Sequence, residues 1–171
     1  GGELWLESEP GQGSTFHFCV SLQPAQDPGS LFIPSEELAG LSALIVDDNA
    51  TNRLILEHYC ESWKISHQSA DSGEQALELL EQNWRQGKQL FDLVLTDMMM
   101  PDMDGVTLAK QVKNDDRFSS CKLILITSYT GRALNQQAEK AGFECLLAKP
   151  LGRDELHDAI ERALYSHKEV I

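Results

Sequence analysis

The sequence predicts a doubly wound α/β domain built on a five-stranded parallel sheet. Four short runs rich in Ile, Val and Leu alternate with segments of helical spacing, and such uniformly apolar runs are typical of parallel strands buried on both faces. Repeated strand–helix units over the second part of the chain favour a parallel sheet covered by helices. The four runs are residues 42–46, 91–96, 122–126 and 144–148.

The first helix of this domain and the strand after it follow the run 42–46. A helix is predicted over residues 49–63, and the short run 65–70 is predicted to be the second strand in chain order. This run brings the number of strands to five. Four side chains of the helix lie on one face, namely Leu54, Ile55, Tyr59 and Ser62.

The later helices are recognised by their ends. Asp71 and Ser72 are good N-caps for a helix that contains the apolar residues Ala76, Leu77, Leu79 and Leu80. Gly142 is a typical C-terminal stop for a later helix. The remaining helices are predicted after Gly105, over 132–142 and over 154–164.

The segment before this domain has a different pattern. Residues 1–22 carry two apolar stretches around the turn EPGQGS, and the alternation of Phe16, Phe18 and Val20 predicts a β-hairpin. A lone hairpin is marginal in water and needs a partner sheet, which suggests a piece of something larger. The expected division is a hairpin over 1–22, a Pro-, Gly- and Ser-containing linker over 23–40, the α/β domain over 41–166 and a tail over 167–171.

The amino-acid composition disfavours some classes of binding partner. The chain has 171 residues with 14 Lys and Arg against 27 Asp and Glu, a formal charge of −13. This balance disfavours nucleic acid and anionic membrane surfaces, both of which select clustered positive charge. The four cysteines show no metal-binding spacing, so reduced thiols and a cytoplasmic location are expected. No apolar stretch is long enough to span a bilayer, although a parent chain could be anchored in the inner membrane.

Polar residues stand where four of the predicted strands end. Asp47 and Asp48 follow the first run, Asp97 the second, Thr127 the third and Lys149 the fourth. Since parallel strands end at one edge of the sheet, these groups are expected to meet there. Three carboxylates suit Mg²⁺, and Asp97 could act as a nucleophile towards a phosphoryl group whose charge the lysine and the hydroxyl would stabilise. The alternative is a set of solvated loop acids, an ordinary strand threonine and a surface lysine.

Four motifs in this order give the chain a family resemblance. LIVDDN, VLTDMMMPDMDG, LILITS and LLAKP lie at strand ends with familiar spacing. Over residues 41–164 the sequence resembles the receiver (response-regulator) domain of two-component signalling. The resemblance implies a flavodoxin-like fold with strand order 2-1-3-4-5.

The resemblance also implies roles at the strand ends. Asp97 would be the phosphoacceptor, Thr127 the switch hydroxyl and Lys149 the phosphate-binding lysine, followed by a cis peptide to Pro150. The implied cofactor is Mg²⁺. Its implied ligands are Asp47, Asp48, Asp97 and the backbone carbonyl of Met99.

Two further segments resemble parts of hybrid histidine kinases. VDDNATNRLIL, with Asn49, Asn52 and Arg53, is similar to receivers attached to such kinases, and residues 1–22 resemble the closing hairpin of a histidine kinase ATP-binding domain. The ATP lid and the phosphorylatable histidine helix are missing from this sequence. The chain is therefore expected to catalyse only its own phosphorylation, while its parent chain is a histidine kinase.

The resemblance implies a place in a phosphorelay. Asp97 would take a phosphoryl group from a phosphohistidine and pass it to a histidine phosphotransfer domain or to water. The expected partners are the kinase core of the same parent chain and the phosphotransfer domain, with Leu54, Ile55 and Leu151 as docking contacts. A phosphorylation-independent docking module is the alternative. A Mg²⁺-dependent phosphatase is disfavoured because Met99 stands where such enzymes place a second acid.

Three positions depart from the usual family pattern. Leu146 replaces the aromatic residue that accompanies the switch hydroxyl, so the usual aromatic–hydroxyl coupling is not expected here. Met99 and Tyr129 lie two residues after Asp97 and Thr127, where relatives carry an acid or amide that orients water. These two residues predict a slowly hydrolysing phosphoaspartate.

Overall fold

The chain forms two compact units. The computed structural model describes residues 2–21, 38–129 and 131–165. The units are Gly1–Ile33 and Pro34–Ile171. Most of the predicted linker 23–40 and the predicted tail 167–171 lie outside the described residues. Leu38 is fully buried and the Gly40 N–H donates to the Lys64 carbonyl, so the α/β unit begins before residue 41.

The larger unit contains the five-stranded parallel sheet that the sequence predicts. When its five strands are numbered in chain order within this unit, their order across the sheet is 2-1-3-4-5. The flavodoxin-like fold class is thereby confirmed. Its strands are β3 (Ser42–Val46), β4 (Ser66–Ala70), β5 (Leu93–Asp97), β6 (Lys122–Thr127) and β7 (Cys145–Ala148).

Five helices connect and follow these strands in the described part of the unit. The Asn49 side chain caps the first helix by accepting from the N–H groups of Thr51 and Asn52, and Ser72 caps the second. Of the two caps predicted for the second helix, Ser72 is the one used. Gly142 ends the fourth helix in the left-handed conformation, as its sequence position predicts. The helices are α1 (Ala50–Ser62), α2 (Gly73–Arg85), α3 (Gly105–Asn114), α4 (Arg132–Ala141) and α5 (Arg153–Tyr165).

Helix α1 buries a different set of side chains from the four that share its predicted face. Leu56 and Cys60 are its buried residues, while Leu54 is 65% exposed and Ile55 is exposed as well. The apolar run from Leu54 to Leu56 fits two helical faces, and only contact with the sheet decides between them. The two predicted docking residues of α1, Leu54 and Ile55, therefore lie on its surface.

The smaller unit is the predicted β-hairpin. Strands β1 (Gly2–Glu9) and β2 (Gly13–Val20) pair antiparallel in a register that joins Gly2 to Val20 and Glu9 to Gly13. The opposed pairs Leu4–Phe18 and Leu6–Phe16 share one face, and all four side chains are exposed. Two strands with an uncovered apolar face are marginally stable in water.

None of the helices in the described residues is long and apolar enough to cross a membrane.

Candidate functional site

The strand ends that carry the polar residues lie along one edge of the sheet. Val46 pairs with Thr96, Asp97 with Ile126, and Thr127 with Ala148. Because the strands are parallel, the residues that follow them project from the same carboxyl edge. The register thus brings the predicted site residues of β3, β5, β6 and β7 together.

Asp47 is held almost entirely out of water. The residue is 1% exposed, and its carboxylate accepts hydrogen bonds from the Asn49 N–H and from Lys149. The Asn52 amide donates to both carboxylate oxygens, at 3.1 and 3.0 Å. An ionised carboxylate at this depth needs such donors, since burial without them is costly.

Asp97 lies opposite Asp47 and is also buried. One carboxylate oxygen accepts from the Met99 N–H at 2.7 Å, and the other accepts from the Lys149 ammonium at 2.6 Å. Both oxygens therefore have a fixed direction, and the carboxylate is oriented before any ligand binds.

Lys149 links the two aspartates. Its ammonium lies 2.8 Å from an Asp47 oxygen and 2.6 Å from an Asp97 oxygen. Burial lowers the pKa of Lys149, but hydrogen bonds and charge from the two carboxylates outweigh it and leave the pKa above its ordinary value. The ammonium is therefore charged throughout the neutral range. The Lys149–Pro150 peptide is cis, as the resemblance implied.

Thr127 and Asp48 differ in their surroundings. The Thr127 side chain is fully buried, and its hydroxyl oxygen accepts from the Tyr129 N–H at 3.0 Å. The Lys149 N–H donates to the Thr127 carbonyl, which ties the ends of β7 and β6 together. Asp48 is exposed, and no hydrogen bond or ion pair to its carboxylate is found among the described residues.

The donor types suit a hard divalent cation, but the three aspartates are not already gathered as one ligand group. Among the described residues, the ligand atoms that lie within 4.8 Å of one another belong to His157, Asp158 and Glu161. Carboxylates from Asp47, Asp48 and Asp97 are the oxygen ligands that Mg²⁺ prefers, and Asp48 is not engaged by another described side chain. The Lys149 ammonium already lies between two of these carboxylates, so their oxygens converge on a position that favours positive charge. The Met99 carbonyl as a further ligand stays a prediction.

Gly105 allows α3 to begin directly against Asp97. A Cβ at position 105 would lie 2.3 Å from the Asp97 carbonyl oxygen and 3.3 Å from a Leu125 methyl group. The backbone of α3 can approach the phosphoacceptor candidate this closely only because glycine has no side chain.

Replacement of Gly105 by alanine is expected to destabilise the domain by about 1–3 kcal/mol, because a backbone carbonyl cannot yield as a flexible side chain can. Urea unfolding monitored by circular dichroism would measure the loss. Gly152→Ala is the matched control, since the nearest atom to its added Cβ is 3.9 Å away. Equal stability of the two variants would contradict the proposed close approach.

A groove of about 500 Å³ opens beside the acidic site. Its lining includes Ile55 and Tyr59 of α1 together with Pro150 and Leu151, which follow β7. Asp47 and Lys149 also line it, so the groove reaches one carboxylate of the site and the lysine that bridges it to Asp97. Of the three predicted docking residues, Ile55 and Leu151 line the groove, while Leu54 is exposed elsewhere on α1.

Comparison with known proteins identifies the family. The sequence profile of the response regulator receiver domain matches residues 43–161. The chain belongs to the response regulator receiver family. The matched receiver region contains all the predicted site residues.

Sensor kinases are among the curated relatives of this receiver. Autoinducer 2 sensor kinase/phosphatase LuxQ of Vibrio vulnificus is 28% identical over 164 residues, which cover 93% of this chain and 18% of LuxQ. Sensor protein EvgS of Escherichia coli is 31% identical over 91% of this chain and 13% of EvgS. Transcriptional regulatory protein ZraR of E. coli is 33% identical over 72% of this chain and 26% of ZraR. The chain thus spans a small part of each relative and is homologous to the receiver domains of LuxQ and EvgS.

Solved structures agree on the fold. Chemotaxis protein CheY4 of Vibrio cholerae superposes with a TM-score of 0.66 at 23% identity, covering 72% of this chain and 98% of CheY4. A putative response regulator from Chloroflexus aurantiacus superposes with a TM-score of 0.66 at 28% identity, covering 72% of this chain and 97% of that protein. The receiver therefore has the CheY-like form of the flavodoxin fold.

Sequence reasoning missed the contacts that hold Asp47. In the sequence, Asn52 and Arg53 were noted only as part of the motif VDDNATNRLIL. In the structure, Asn52 donates to the Asp47 carboxylate and Arg53 donates to the Asp47 backbone carbonyl. Their spacing of five and six residues from Asp47 places them on the first turn of α1, which begins beside the end of β3. That placement was available from the predicted helix start, but the direction of the side chains was not.

Proposed function

We propose that this receiver is the phosphoaccepting module of a hybrid sensor kinase, with Asp97 as the phosphoacceptor. The observation that carries the proposal is the lysine bridge. A single charged ammonium is shared by Asp47 and Asp97 at 2.8 and 2.6 Å, at the end of a groove that opens to the surface. Buried carboxylates gathered around one cation are suited to receiving an anionic phosphoryl group and a metal.

The reaction needs few steps from the protein. The Asp97 carboxylate attacks the phosphorus of a donor phosphohistidine, the phosphorus–nitrogen bond breaks, and the imidazole keeps the electron pair and takes up a proton. Lys149 can then bind a phosphoryl oxygen, and the Thr127 hydroxyl can donate its own O–H to another while it still accepts from the Tyr129 N–H. Mg²⁺ bound by Asp47, Asp48, Asp97 and the Met99 carbonyl would neutralise phosphoryl charge.

The groove beside α1 is the proposed docking surface for the donor and for a histidine phosphotransfer domain. Leu54 and Ile55 are exposed apolar residues on α1, and Leu151 lines the groove together with Ile55. Burial of such side chains is the usual source of binding energy in a protein interface. Lys149 lines this groove and binds Asp97, so a partner docked here would lie next to the ammonium that the two aspartates share.

The hairpin unit is proposed to be part of the ATP-binding domain of the same parent chain. The alignments with LuxQ and EvgS cover 93% and 91% of this chain, more than the receiver match at 43–161, so they extend upstream of the receiver. The alignment with ZraR covers a smaller share of this chain, 72%. The uncovered apolar face of the hairpin is what a sheet severed from its partners would show. A cytoplasmic location is proposed for this part of the parent chain.

Intact mass spectrometry after incubation with Mg²⁺ and acetyl phosphate tests the proposed function. The expected result is a gain of one phosphoryl group that requires Mg²⁺ and is abolished by EDTA. A donor histidine kinase phosphorylated on histidine is the second donor, because a receiver can be selective for protein donors. Failure with both donors would refute the assignment.

The phosphoaspartate is predicted to hydrolyse slowly. Met99 is 57% exposed and Tyr129 is 60% exposed, so the two positions beside the site carry an apolar thioether and an outward phenol. Met99→Asn supplies an amide that can orient water, and we expect it to speed dephosphorylation about tenfold, below the usual range for a positioned base. The decay of phosphoprotein mass with time gives the rate. Met99→Leu is the control and should leave the rate unchanged, and an equal acceleration in both variants would exclude water orientation as the cause.

A further inference from the structure

Asn52 makes an unusually complete contact with Asp47. Its amide nitrogen lies 3.1 Å from one carboxylate oxygen and 3.0 Å from the other. The orientation of the amide is determined by this contact, because its carbonyl oxygen would be repelled by the carboxylate. The Asn52 side chain itself is only partly buried, so the contact is not a by-product of core packing.

Arg53 binds the backbone of the same aspartate. The guanidinium donates to the Asp47 carbonyl oxygen at 2.7 Å. Side chain and main chain of Asp47 are thus both bound by consecutive residues of the first turn of α1. The position of Asp47 is thereby coupled to the position of that helix.

Neither contact is required to begin the helix. The cap is supplied by Asn49, whose side-chain oxygen accepts from the N–H groups of Thr51 and Asn52. The Asn52 side chain is therefore available for Asp47. As a neutral donor it stabilises the carboxylate without cancelling its charge, whereas a second lysine at this place would compete with a bound cation.

We propose that Asn52 is the positioning residue of the acidic site. It fixes the Asp47 carboxylate in the orientation that faces Lys149 and the cation position, and Arg53 fixes the backbone beneath it. This inference rests on the proposed function, in which Asp47 binds Mg²⁺. Residues that hydrogen-bond a metal ligand commonly change metal affinity 10- to 100-fold when they are removed.

The test measures Mg²⁺ affinity directly. Isothermal titration of the whole chain with MgCl₂ at fixed pH and ionic strength gives the Kd for the native protein, Asn52→Ala and Asn52→Leu. Asn135→Leu, an exposed asparagine on α4, is the matched control. The Tm of each protein is also recorded in EDTA and in Mg²⁺. A merely structural role of Asn52 would change the Tm in EDTA and leave the Mg²⁺-induced rise in Tm unchanged.

The expected result is a Kd about tenfold weaker in both Asn52 variants, with a smaller Mg²⁺-induced rise in Tm, and no change in Asn135→Leu. Affinities within twofold of the native protein in both Asn52 variants would overturn the inference while leaving Asp97 as phosphoacceptor. Weakening by leucine but not by alanine would identify a steric effect and overturn the donor role. Absence of Mg²⁺ binding and of phosphorylation in the native protein would refute the proposed function as well.

Discussion

Replacement of Asp97 by asparagine is expected to abolish phosphorylation and to leave the fold intact. The amide has nearly the shape of the carboxylate but lacks the charged oxygen that attacks phosphorus. Its remaining carbonyl oxygen can still accept from the Met99 N–H, and Lys149 keeps its bond to Asp47. Intact mass after incubation with Mg²⁺ and acetyl phosphate should therefore show no added phosphoryl group, at unchanged far-ultraviolet circular dichroism.

Asp104→Asn is the control for this substitution. Asp104 caps α3 by accepting from the Thr107 N–H at 2.7 Å, and asparagine is an equally good cap. The variant is thus expected to fold and to be phosphorylated like the native chain. A phosphoryl gain in Asp97→Asn equal to that of the control would place the acceptor elsewhere and disprove the role of Asp97.

The fold was predictable from sequence because its strands are buried on both faces. Residues 43–46 and 123–126 are apolar throughout, so no partner had to be known to recognise them as strands. The carboxyl-edge position of Asp47 and Asp97 then followed from parallel topology alone. Partly buried elements were harder, since α1 carries adjacent apolar residues and two of its faces fit the helical period. Contact with the sheet selects Leu56 and Cys60.

The internal arrangement of the site was less predictable. Convergence at a sheet edge implies proximity but not which donor meets which acceptor. The sharing of Lys149 between Asp47 and Asp97, and the contact of Asn52 with both Asp47 oxygens, depend on side-chain directions set by packing around α1 and β7. The sequence gives no sign of the exposed state of Asp48 beside the buried Asp47, although the two are adjacent in the chain.

Lys149→Met is expected to weaken phosphorylation about a hundredfold and to destabilise the apo domain. Methionine keeps much of the side-chain stem but removes the ammonium that would bind the phosphoryl group, a loss comparable to that of one transition-state donor. It also leaves Asp47 and Asp97 facing each other without the cation between them. Since the lysine side chain is 21% exposed, we expect a loss of about 2 kcal/mol, below the range for fully buried pairs. Initial phosphorylation rates and urea unfolding in EDTA measure the two effects.

Two causes of the instability of Lys149→Met, repulsion between the carboxylates and lost packing, can be distinguished experimentally. If repulsion between the two carboxylates is responsible, adding Asp47→Asn to Lys149→Met should restore part of the stability, and Mg²⁺ should raise the Tm of the single variant more than that of the native chain.

The pH dependence of stability gives a second criterion. The pKa of Lys149 is raised in the folded state, so its contribution is complete below the ordinary lysine pKa and is lost only as pH rises through the higher folded-state value. The stability difference between native and Lys149→Met protein should therefore be constant across neutral pH and shrink in strongly alkaline solution, whereas a packing defect would persist there.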